Sequence, residues 1–241
     1  MTVILPTDRL CFLGDSITEG VGTEKAYWAY IAEKTGAEVH SFGVNGAVTI
    51  GLFSQMDRLE QTVGKDFDVL FVLIGTNDFY GCVPIGKWFS ECEEKVPCNS
   101  DGNGNFTAFT TRKKRELLLT DDTFCGRLNR VFSQLRTRFF DKRIVLMTPI
   151  HRAYAYFGGT NIQPNELYAN GAGVFFAEYI RAVREAADIW SLELVDLYRD
   201  SGLFPLEDGN AARYFHDVNT DRLHPNAFGH ERIAETILRR I

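Results

Sequence analysis

Short runs of apolar residues alternate along this chain with longer segments whose apolar residues recur at helical spacing. Val69–Ile74 is apolar at every position, which is typical of a central strand that is covered on both faces of its sheet. Leu10–Leu13 is a second uninterrupted run, and it ends at Gly14. Together the runs predict five strands, at Arg9–Gly14, Glu38–Phe42, Asp66–Ile74, Arg143–Thr148 and Glu193–Leu197.

The segments between the strands carry apolar residues every three or four positions, as on one face of a helix. Pro225 suits the first turn of the last helix, because proline is well tolerated there. This would place His224 at the cap of that helix. The predicted helices span Ala26–Thr35, Ile50–Val63, Asp122–Phe140, Gly173–Trp190 and a final segment that begins at Pro225.

Strands that alternate with helices pair in parallel through right-handed crossovers, with helices on both faces of the sheet. The chain is therefore expected to be α/β, a single three-layer α/β/α domain over residues 1–241 with a five-stranded parallel sheet. Two connections exceed the usual length, at about residues 79–119 and 151–170. Both leave the carboxyl ends of strands and are rich in aromatic residues. Each is expected to border the site, either as a local mini-core or as a wall or lid of a substrate pocket.

The composition of the chain argues against some classes of binding partner. Lys and Arg number 26 against 32 Asp and Glu, a formal net charge of −6, and no long basic run suggests a nucleic-acid partner. The one basic cluster, at residues 112–115, is followed by acidic residues and is expected to be a solvated helix or loop face. No apolar run approaches the roughly 20 residues of a membrane span, and Met1–Pro6 lacks the features of a signal peptide.

The five cysteines are irregularly spaced, which fits reduced thiols and a cytoplasmic protein. A disulfide between Cys92 and Cys98 stays open as an alternative for an exported protein. Zinc binding is not expected, because no Cys-x-x-Cys pair is present. The oligomeric state is not indicated by the sequence.

Candidate chemistry begins at Ser16, which follows the first strand in Gly14-Asp15-Ser16-Ile17-Thr18. A sharp turn there would expose the serine hydroxyl at the carboxyl edge of the sheet, where α/β folds place their ligands. His224 is the candidate base, and Asp221 stands three residues earlier, so one turn of chain can bring its carboxylate to the far ring nitrogen. In this order, the residues indicate a serine hydrolase.

Acyl transfer also needs donors for the oxyanion that forms on the substrate. The second strand ends in Gly43-Val44-Asn45-Gly46, and a glycine there can present its N–H without a side chain in the way. The third strand is followed by Asn77, whose amide can donate toward the same place. With the N–H of Ser16, these residues would supply three donors from three neighbouring strand ends.

Four blocks of this chain resemble those of the SGNH hydrolases, the GDSL-type esterase and lipase superfamily. They are Gly14-Asp15-Ser16, Val44-Asn45-Gly46, Gly75-Thr76-Asn77-Asp78 and Asp221-Arg222-Leu223-His224, in that order and across almost the whole chain. The resemblance implies a flavodoxin-like domain, with Ser16 as nucleophile, His224 as base and Asp221 as the group that orients the base. It also implies an oxyanion hole of Ser16, Gly46 and Asn77, and it is the reason for choosing Gly46 over Gly43.

The expected function is that of a serine esterase that works through an acyl-enzyme intermediate and needs no metal or organic cofactor. A small acyl group such as acetyl on a carbohydrate is the expected substrate, because the aromatic loops could stack on a sugar ring. A lysophospholipase or thioesterase is the first alternative, and an acyltransferase that uses the same three residues is the second. A non-catalytic binding domain is disfavoured, because a binding protein has no need of the complete set.

Several residues outside these blocks are candidate substrate contacts. His151 could also replace His224 as the base, although no carboxylate stands near it in the sequence. Arg152 could bind a carboxylate or phosphate of a substrate, although a surface ion pair is its expected fate. The candidate contacts are Asp15, Phe79, Tyr80, His151 and Tyr154.

Overall fold

The computed structural model of this protein describes residues 3–241, so the first two residues of the predicted domain lie outside it. The strands are β1 (Arg9–Gly14), β2 (Glu38–Ser41), β3 (Val69–Leu73), β4 (Phe89–Ser100), β5 (Phe106–Leu117), β6 (Arg143–Met147), β7 (Ala155–Tyr156), β8 (Ile162–Gln163), β9 (Glu193–Val195), β10 (Phe215–Asp217) and β11 (Asp221–Pro225). The α-helices are α1 (Ser16–Glu19), α2 (Tyr27–Thr35), α3 (Leu52–Thr62), α4 (Thr76–Tyr80), α5 (Phe124–Arg138), α6 (Phe176–Trp190), α7 (Leu197–Asp200), α8 (Asp208–Tyr214) and α9 (Ala227–Arg240). A 3₁₀ turn at Thr49–Gly51 precedes α3.

The five predicted strands form one sheet in the order β2-β1-β3-β6-β9, and all neighbouring strands run parallel. This confirms the predicted α/β class and the five-stranded parallel sheet. The direction of winding reverses between β1 and β3, because the chain moves outward from β1 to β2 and then crosses back to β3. In such sheets, the carboxyl ends of the strands at the reversal form the crevice in which ligands bind.

Helices cover both faces of this sheet, and successive side chains of a strand pack beneath different helices. In β1, Leu13 belongs to the apolar layer beneath α3, α5 and α6, whereas Phe12 belongs to the layer beneath α2 and α9. Every residue of β3 is buried, which explains why this strand is apolar throughout. Between residues 3 and 241, no helix combines the length and the apolar character that a membrane crossing would require.

The last helix begins two residues later than the sequence predicted. Pro225 is the final residue of β11. Asn226 is the N-cap of α9, because its side-chain oxygen accepts hydrogen bonds from two N–H groups of the first turn, at 3.0 and 3.2 Å. The helix therefore begins at Ala227, and His224 lies on a strand rather than at a helix cap.

The first long connection, predicted as a loop over residues 79–119, contains an antiparallel hairpin. Its strands β4 and β5 are each 12 residues long. The basic cluster at residues 112–115 lies on β5 and faces acidic residues of β4, so the helix or loop predicted for it was wrong. Lys114 Nζ lies 2.5 Å from Glu94 Oε2, and Arg115 Nε lies 3.3 Å from Glu91 Oε1. Cross-strand pairs of opposite charge stabilise such a ribbon.

Cys92 and Cys98 both lie on β4, and both thiols are free. Six residues of extended strand span roughly 20 Å. The Cα atoms of a disulfide lie only about 4.4–6.8 Å apart. The two cysteines therefore do not pair in this fold.

The second long connection, at residues 151–170, supplies the short strands β7 and β8. They join β10 and β11 in a small antiparallel sheet with the order β10-β11-β7-β8. Asp221 of β11 pairs directly with Ala155 of β7. This small sheet places the second long connection next to the residues Asp221 and His224.

His230 on α9 is fully buried in the layer beneath α2 and α9. Its Nδ1 accepts a hydrogen bond from the N–H of Tyr27 at 3.1 Å, and the two rings are stacked. Among the described residues, its Nε2 has no hydrogen-bond partner. Burial lowers the pKa of His230 to about 3, so the ring is neutral over the working pH range.

Acid should destabilise the protein through His230. The unfolded chain binds a proton here below about pH 6.5, whereas the folded protein does not until about pH 3. Stability from this residue is therefore complete above pH 6.5 and is lost as the pH falls. Between pH 7 and pH 5, the loss should be about 2 kcal/mol in the free energy of unfolding. Urea denaturation at both pH values measures it.

The matched control is His230→Asn, which keeps an acceptor for Tyr27 but does not titrate in this range. The difference in unfolding free energy between wild type and variant should shrink by about 2 kcal/mol between pH 7 and pH 5. Burial raises the pKa of Asp15 to about 6, so protonation of Asp15 stabilises the folded state as the pH falls. This contribution is the same in the wild type and the variant, and it cancels in the comparison. A difference that does not change with pH would contradict this account of His230.

Candidate active site

Ser16 lies just after the carboxyl end of β1, where the chain turns sharply into α1. Gly14 has no room for a side chain, because a Cβ atom there would lie 2.2 Å from Thr18 Oγ1. Asp15 has an extended backbone, and its Oδ1 accepts a hydrogen bond from the N–H of Ile17 at 3.1 Å, which caps α1. The turn brings Ser16 to the wall of a cavity at the edge of the sheet.

Gln55 of α3 holds this turn in place from within the core. Its side-chain amide donates to the carbonyl of Gly14 and accepts from the N–H of the same residue, both at 2.8 Å. Gln55 is fully buried. Sequence reasoning missed this residue, because nothing in an amphipathic helix signals that its glutamine pairs with a glycine 41 positions away.

Three side chains predicted from distant parts of the chain form a continuous set of hydrogen bonds. His224 Nε2 lies 3.0 Å from Ser16 Oγ, and His224 Nδ1 lies 2.8 Å from Asp221 Oδ2. The other carboxylate oxygen of Asp221 accepts the N–H groups of Leu223 and His224, each at 3.1 Å. All three side chains are buried, with Ser16 6% exposed and His224 4% exposed.

The hydrogen bonds of Asp221 determine which ring nitrogen of His224 carries the proton. Burial acts to raise the pKa of Asp221, but the hydrogen bond and charge of His224 and the two backbone N–H groups outweigh it and hold that pKa below its usual value. Asp221 is therefore an ionised acceptor, so His224 Nδ1 donates to it. His224 Nε2 is left with a free electron pair that accepts the hydroxyl proton of Ser16.

Three residues at neighbouring strand ends, which carry the predicted oxyanion donors, line the same cavity as this set. Ser16 and Gly46 offer backbone N–H groups, and among residues 3–241 neither donates to another protein group. Gly46 has φ +75°, a left-handed conformation that glycine adopts without strain. Asn77 Nδ2 donates one hydrogen to the carbonyl of Ala47 at 3.0 Å, which leaves its second hydrogen available to the cavity.

Asp78, next to Asn77, forms hydrogen bonds that hold the segment after Gly46 in place. Its Oδ2 accepts both the N–H and the hydroxyl of Thr49 at 2.8 Å, and its Oδ1 accepts Arg127 Nη1 at 2.9 Å. Asp78 is fully buried, which raises its pKa against the effect of these donors. Its position in the block Gly75-Thr76-Asn77-Asp78 was a signal that could have identified it.

The cavity beside Ser16 and His224 has a volume of about 520 Å³. Tyr80 comes from the first long connection, and Phe157, Asn161 and Gln163 come from the second. Leu223 and His224 lie on β11, and the remaining lining residues follow β1, β2 and β3. The full lining comprises Ser16, Val21, Asn45, Gly46, Val48, Asn77, Tyr80, Gly81, Phe157, Asn161, Gln163, Leu223 and His224.

Comparison with known families connects this geometry to a class of enzyme. The model of the GDSL-like lipase/acylhydrolase family matches residues 12–232. The chain belongs to this family. It is therefore a carboxylic ester hydrolase, as the sequence predicted. A search of curated proteins found no match to the chain.

Solved structures share the fold of this GDSL-family enzyme at low sequence identity. A protein from Lactobacillus plantarum is 24% identical, with a TM-score of 0.71 over 97% of this chain and 95% of its own. A possible lipase from Chitinophaga pinensis is 20% identical, with a TM-score of 0.66 over 96% of each chain. A variant of an acetyl xylan esterase from Geobacillus stearothermophilus is 18% identical, with a TM-score of 0.59 over 100% of this chain and 96% of its own.

Of the predicted substrate contacts of this GDSL-family enzyme, Tyr80 lines the cavity and four others do not. Asp15 is buried beneath the turn, where it caps α1. Phe79 points into the core, where α4 packs on α6. Tyr154 donates its hydroxyl to a backbone carbonyl at 2.8 Å and stacks on a neighbouring tyrosine. The periodicity of short elements did not reveal which of these side chains face inward.

His151 is the fourth of these residues, and it is not among the residues that line the cavity beside Ser16. Its Nδ1 lies 2.6 Å from Glu166 Oε1, and its ring packs on Tyr198 with 3.6 Å between centroids. The idea that His151 replaces His224 as the base is therefore corrected, because His224 makes the contact with Ser16. The carboxylate partner of His151, Glu166, was missed because it lies 15 residues further along the chain.

Proposed function

We propose that this enzyme hydrolyses esters of small acyl groups, with acetylated carbohydrates as substrates, through an acyl-enzyme intermediate on Ser16. The observation that carries the proposal is the set of hydrogen bonds from Asp221 through His224 to Ser16, at 2.8 and 3.0 Å. A nucleophile, a base and a group that orients the base are the parts that serine-dependent acyl transfer needs. The set opens onto a cavity that also holds three N–H donors.

In the first half of the reaction, Ser16 Oγ attacks the ester carbonyl carbon while His224 Nε2 takes the hydroxyl proton. The carbonyl electron pair moves to its oxygen, which accepts hydrogen bonds from the N–H of Ser16, the N–H of Gly46 and the amide of Asn77. The carbon–oxygen bond to the alcohol then breaks, and the alcohol leaves with the proton from His224. Asp221 remains ionised and stabilises the imidazolium that forms in between.

In the second half, water attacks the acyl group on Ser16 while His224 takes a proton from the water. The same three donors hold the second oxyanion. The bond to Ser16 Oγ breaks, Ser16 recovers its proton from His224, and the carboxylic acid leaves. Atoms and charges balance with the ester and water as the only reactants, so these residues suffice for the chemistry.

The lining of the cavity supports a carbohydrate as the alcohol portion of the ester. Tyr80 and Phe157 present partly exposed rings, which can stack on the apolar face of a sugar. Asn45, Asn161 and Gln163 present side-chain amides, which can bond to sugar hydroxyl groups. A pocket with aromatic faces and a few well-placed polar groups is typical of sites for small molecules.

A panel of esters tests the substrate. The value of kcat/KM should be at least about tenfold higher for para-nitrophenyl acetate than for the octanoate, because each methylene group that the pocket cannot accommodate reduces binding. Mono-acetylated methyl glycosides should release acetate, and Ser16→Ala measures the background. A preference for long-chain esters or lysophospholipids would contradict the proposal and favour a lipase. Acetyl transfer to an added sugar in place of hydrolysis would favour an acyltransferase.

We also propose that the domain predicted over residues 1–241 is a single unit of the SGNH type. Both apolar layers pack on the same sheet, which supports one folding unit. The hairpin of β4 and β5 extends from this unit between α4 and α5. The two long connections border the cavity through Tyr80 and through Phe157, Asn161 and Gln163, whereas the hairpin strands are not among its lining residues.

A further inference from the structure

Arg152 follows β6 and is 1% exposed, although a surface ion pair was expected for it. Its guanidinium lies over the ring of Phe79 with 5.2 Å to the centroid, and Nη2 donates to Gln163 Oε1 at 2.8 Å. Among the described residues, Nε and Nη1 have no hydrogen-bond partner. Burial lowers the pKa of Arg152 to about 10, so the side chain still carries its positive charge at neutral pH.

The contact with Arg152 determines how two amides of the cavity wall are oriented. Arginine can only donate hydrogen bonds, so Gln163 must turn its carbonyl oxygen toward Arg152 and its NH₂ group away. Gln163 Nε2 donates to Asn161 Oδ1 at 3.3 Å, and the hydroxyl of Tyr80 donates to the same oxygen at 3.2 Å. Asn161 must therefore turn its own NH₂ group away from both, and Asn161 is one of the residues that line the cavity.

The wall that results offers donors to the cavity, because Asn161 Oδ1 already accepts two hydrogen bonds and Gln163 Oε1 is turned toward Arg152. Asn161 Nδ2 carries two hydrogens, and among residues 3–241 neither has a protein acceptor. Gln163 Nε2 has one further hydrogen beyond the one given to Asn161. We call the wall formed by Asn161 and Gln163 the donor wall.

We propose that the donor wall is a binding subsite for a carboxylate on the alcohol portion of the substrate, and that Arg152 is the positioning residue that sets its polarity. The inference rests on the proposed function, since it adds an acidic sugar to the esters that the cavity accepts. A carboxylate brings two oxygens and no hydrogen, which matches a wall of N–H groups. Hydrogen bonds to an ionised acceptor are also stronger than those to a neutral one.

Arg152 is a positively charged group in direct contact with the donor wall. No acidic residue is among the residues that line the cavity in the described part of the chain. Arg152 lies behind the wall, and its charge acts through a poorly solvated region in which electrostatic effects are strong. Glu166 brings the opposite charge to the same region, where its carboxylate accepts hydrogen bonds from the N–H of Arg152 and from the side chains of His151 and Tyr198. The case for an anion therefore rests on the N–H donors of the wall together with the contact of Arg152 with Gln163.

Inhibition by simple glycosides tests the subsite directly. Methyl glucuronoside and methyl glucoside differ only at C6, where the first has a carboxylate and the second a hydroxymethyl group. Each can compete with para-nitrophenyl acetate for the cavity. The inhibition constant of the glucuronoside should be at least about tenfold lower than that of the glucoside in the wild-type enzyme. Equal constants, or tighter binding of glucose 6-phosphate than of the glucuronoside, would overturn the assignment to a carboxylate.

Variants of Asn161 and Arg152 test whether these residues produce the preference for the glucuronoside. Asn161→Asp places a carboxylate in the donor wall and should abolish the preference for the glucuronoside. Asn165→Asp introduces the same charge on the same connection but outside the cavity lining, so this variant should retain the preference. Arg152→Met should lose the preference and Arg152→Lys should keep it, because lysine also only donates. If Arg152→Met does not fold, the Asn161→Asp variant tests the proposal by itself, because Asn161 is exposed. A preference that survives Asn161→Asp would overturn the proposal.

The same assays separate this inference from the proposed function. Acetate release from a mono-acetylated methyl glucoside at a rate similar to that from the corresponding glucuronoside would leave the esterase intact and overturn the subsite. Failure to deacetylate either glycoside, with para-nitrophenyl acetate still hydrolysed, would contradict carbohydrate esters as substrates. The inhibition constants would then still decide whether the donor wall binds a carboxylate.

Discussion

Replacing Ser16 with alanine should reduce kcat for para-nitrophenyl acetate by at least about 10,000-fold, because the reaction loses the oxygen that forms the acyl-enzyme. Among residues 3–241, the only side-chain hydrogen bond that the substitution removes is the 3.0 Å bond to His224. The fold should therefore persist, and thermal unfolding should change by only a few degrees. Initial rates with a purified variant, together with a melting curve, measure both effects.

A fluorophosphonate probe supplies the control for this prediction. It should label the wild-type enzyme and should not label Ser16→Ala. Ser54→Ala is a matched variant, since Ser54 is exposed on α3 and its hydroxyl bonds to the carbonyl of Gly51. Ser54→Ala should keep both the labelling and the activity. Retention of most of the activity by Ser16→Ala would show that another residue is the nucleophile.

Replacing Asp221 with asparagine should reduce kcat by about 10,000-fold while the backbone remains in place. One oxygen of Asp221 accepts the N–H groups of Leu223 and His224, and an asparagine carbonyl would keep that role. Its NH₂ group would then face His224 Nδ1, which would have to accept a hydrogen bond. The ring proton would move to Nε2, so His224 could no longer take the proton of Ser16.

Asp217→Asn is the matched control for this prediction. Asp217 lies on the neighbouring strand β10, and its Oδ1 accepts two backbone N–H groups, at 2.7 and 3.0 Å. Asparagine can accept the same two hydrogen bonds, so kcat should change little. Steady-state kinetics of both variants make the comparison. An Asp221→Asn enzyme that keeps more than about a tenth of the wild-type kcat would contradict the proposed role of Asp221.

The sheet was predictable because its central strands β1, β3 and β6 are buried on both faces. Such a strand needs apolar side chains at successive positions, and Val69–Ile74 carries that requirement in its own sequence. The start of α9 was less predictable, since both Pro225 and Asn226 suit a helix start. The hydrogen bonds of the Asn226 side chain decide between them, and they depend on local geometry.

The hairpin of β4 and β5 was missed for a different reason. Its faces are largely exposed, so it shows little of the apolar alternation that identifies a half-buried strand. What identifies it is the pairing of acidic residues on one strand with basic residues on the other. That pairing joins residues about 20 positions apart, and a window of neighbouring residues does not contain it.

The amino-acid sequence by itself determined the parallel α/β sheet and the residue types of the candidate site, because burial and motif order act along the chain. It also placed Ser16 after the first predicted strand and Asn77 after the third, and the structure shows that the winding reverses between these two strands. Only the tertiary structure decided that Asp221, His224 and Ser16 meet within hydrogen-bond distance, across 208 positions of chain. It also decided that Asn161 and Gln163, rather than His151 and Tyr154, line the cavity. Those contacts depend on the pairing of two-residue strands in the small sheet, and no local pattern encodes that pairing.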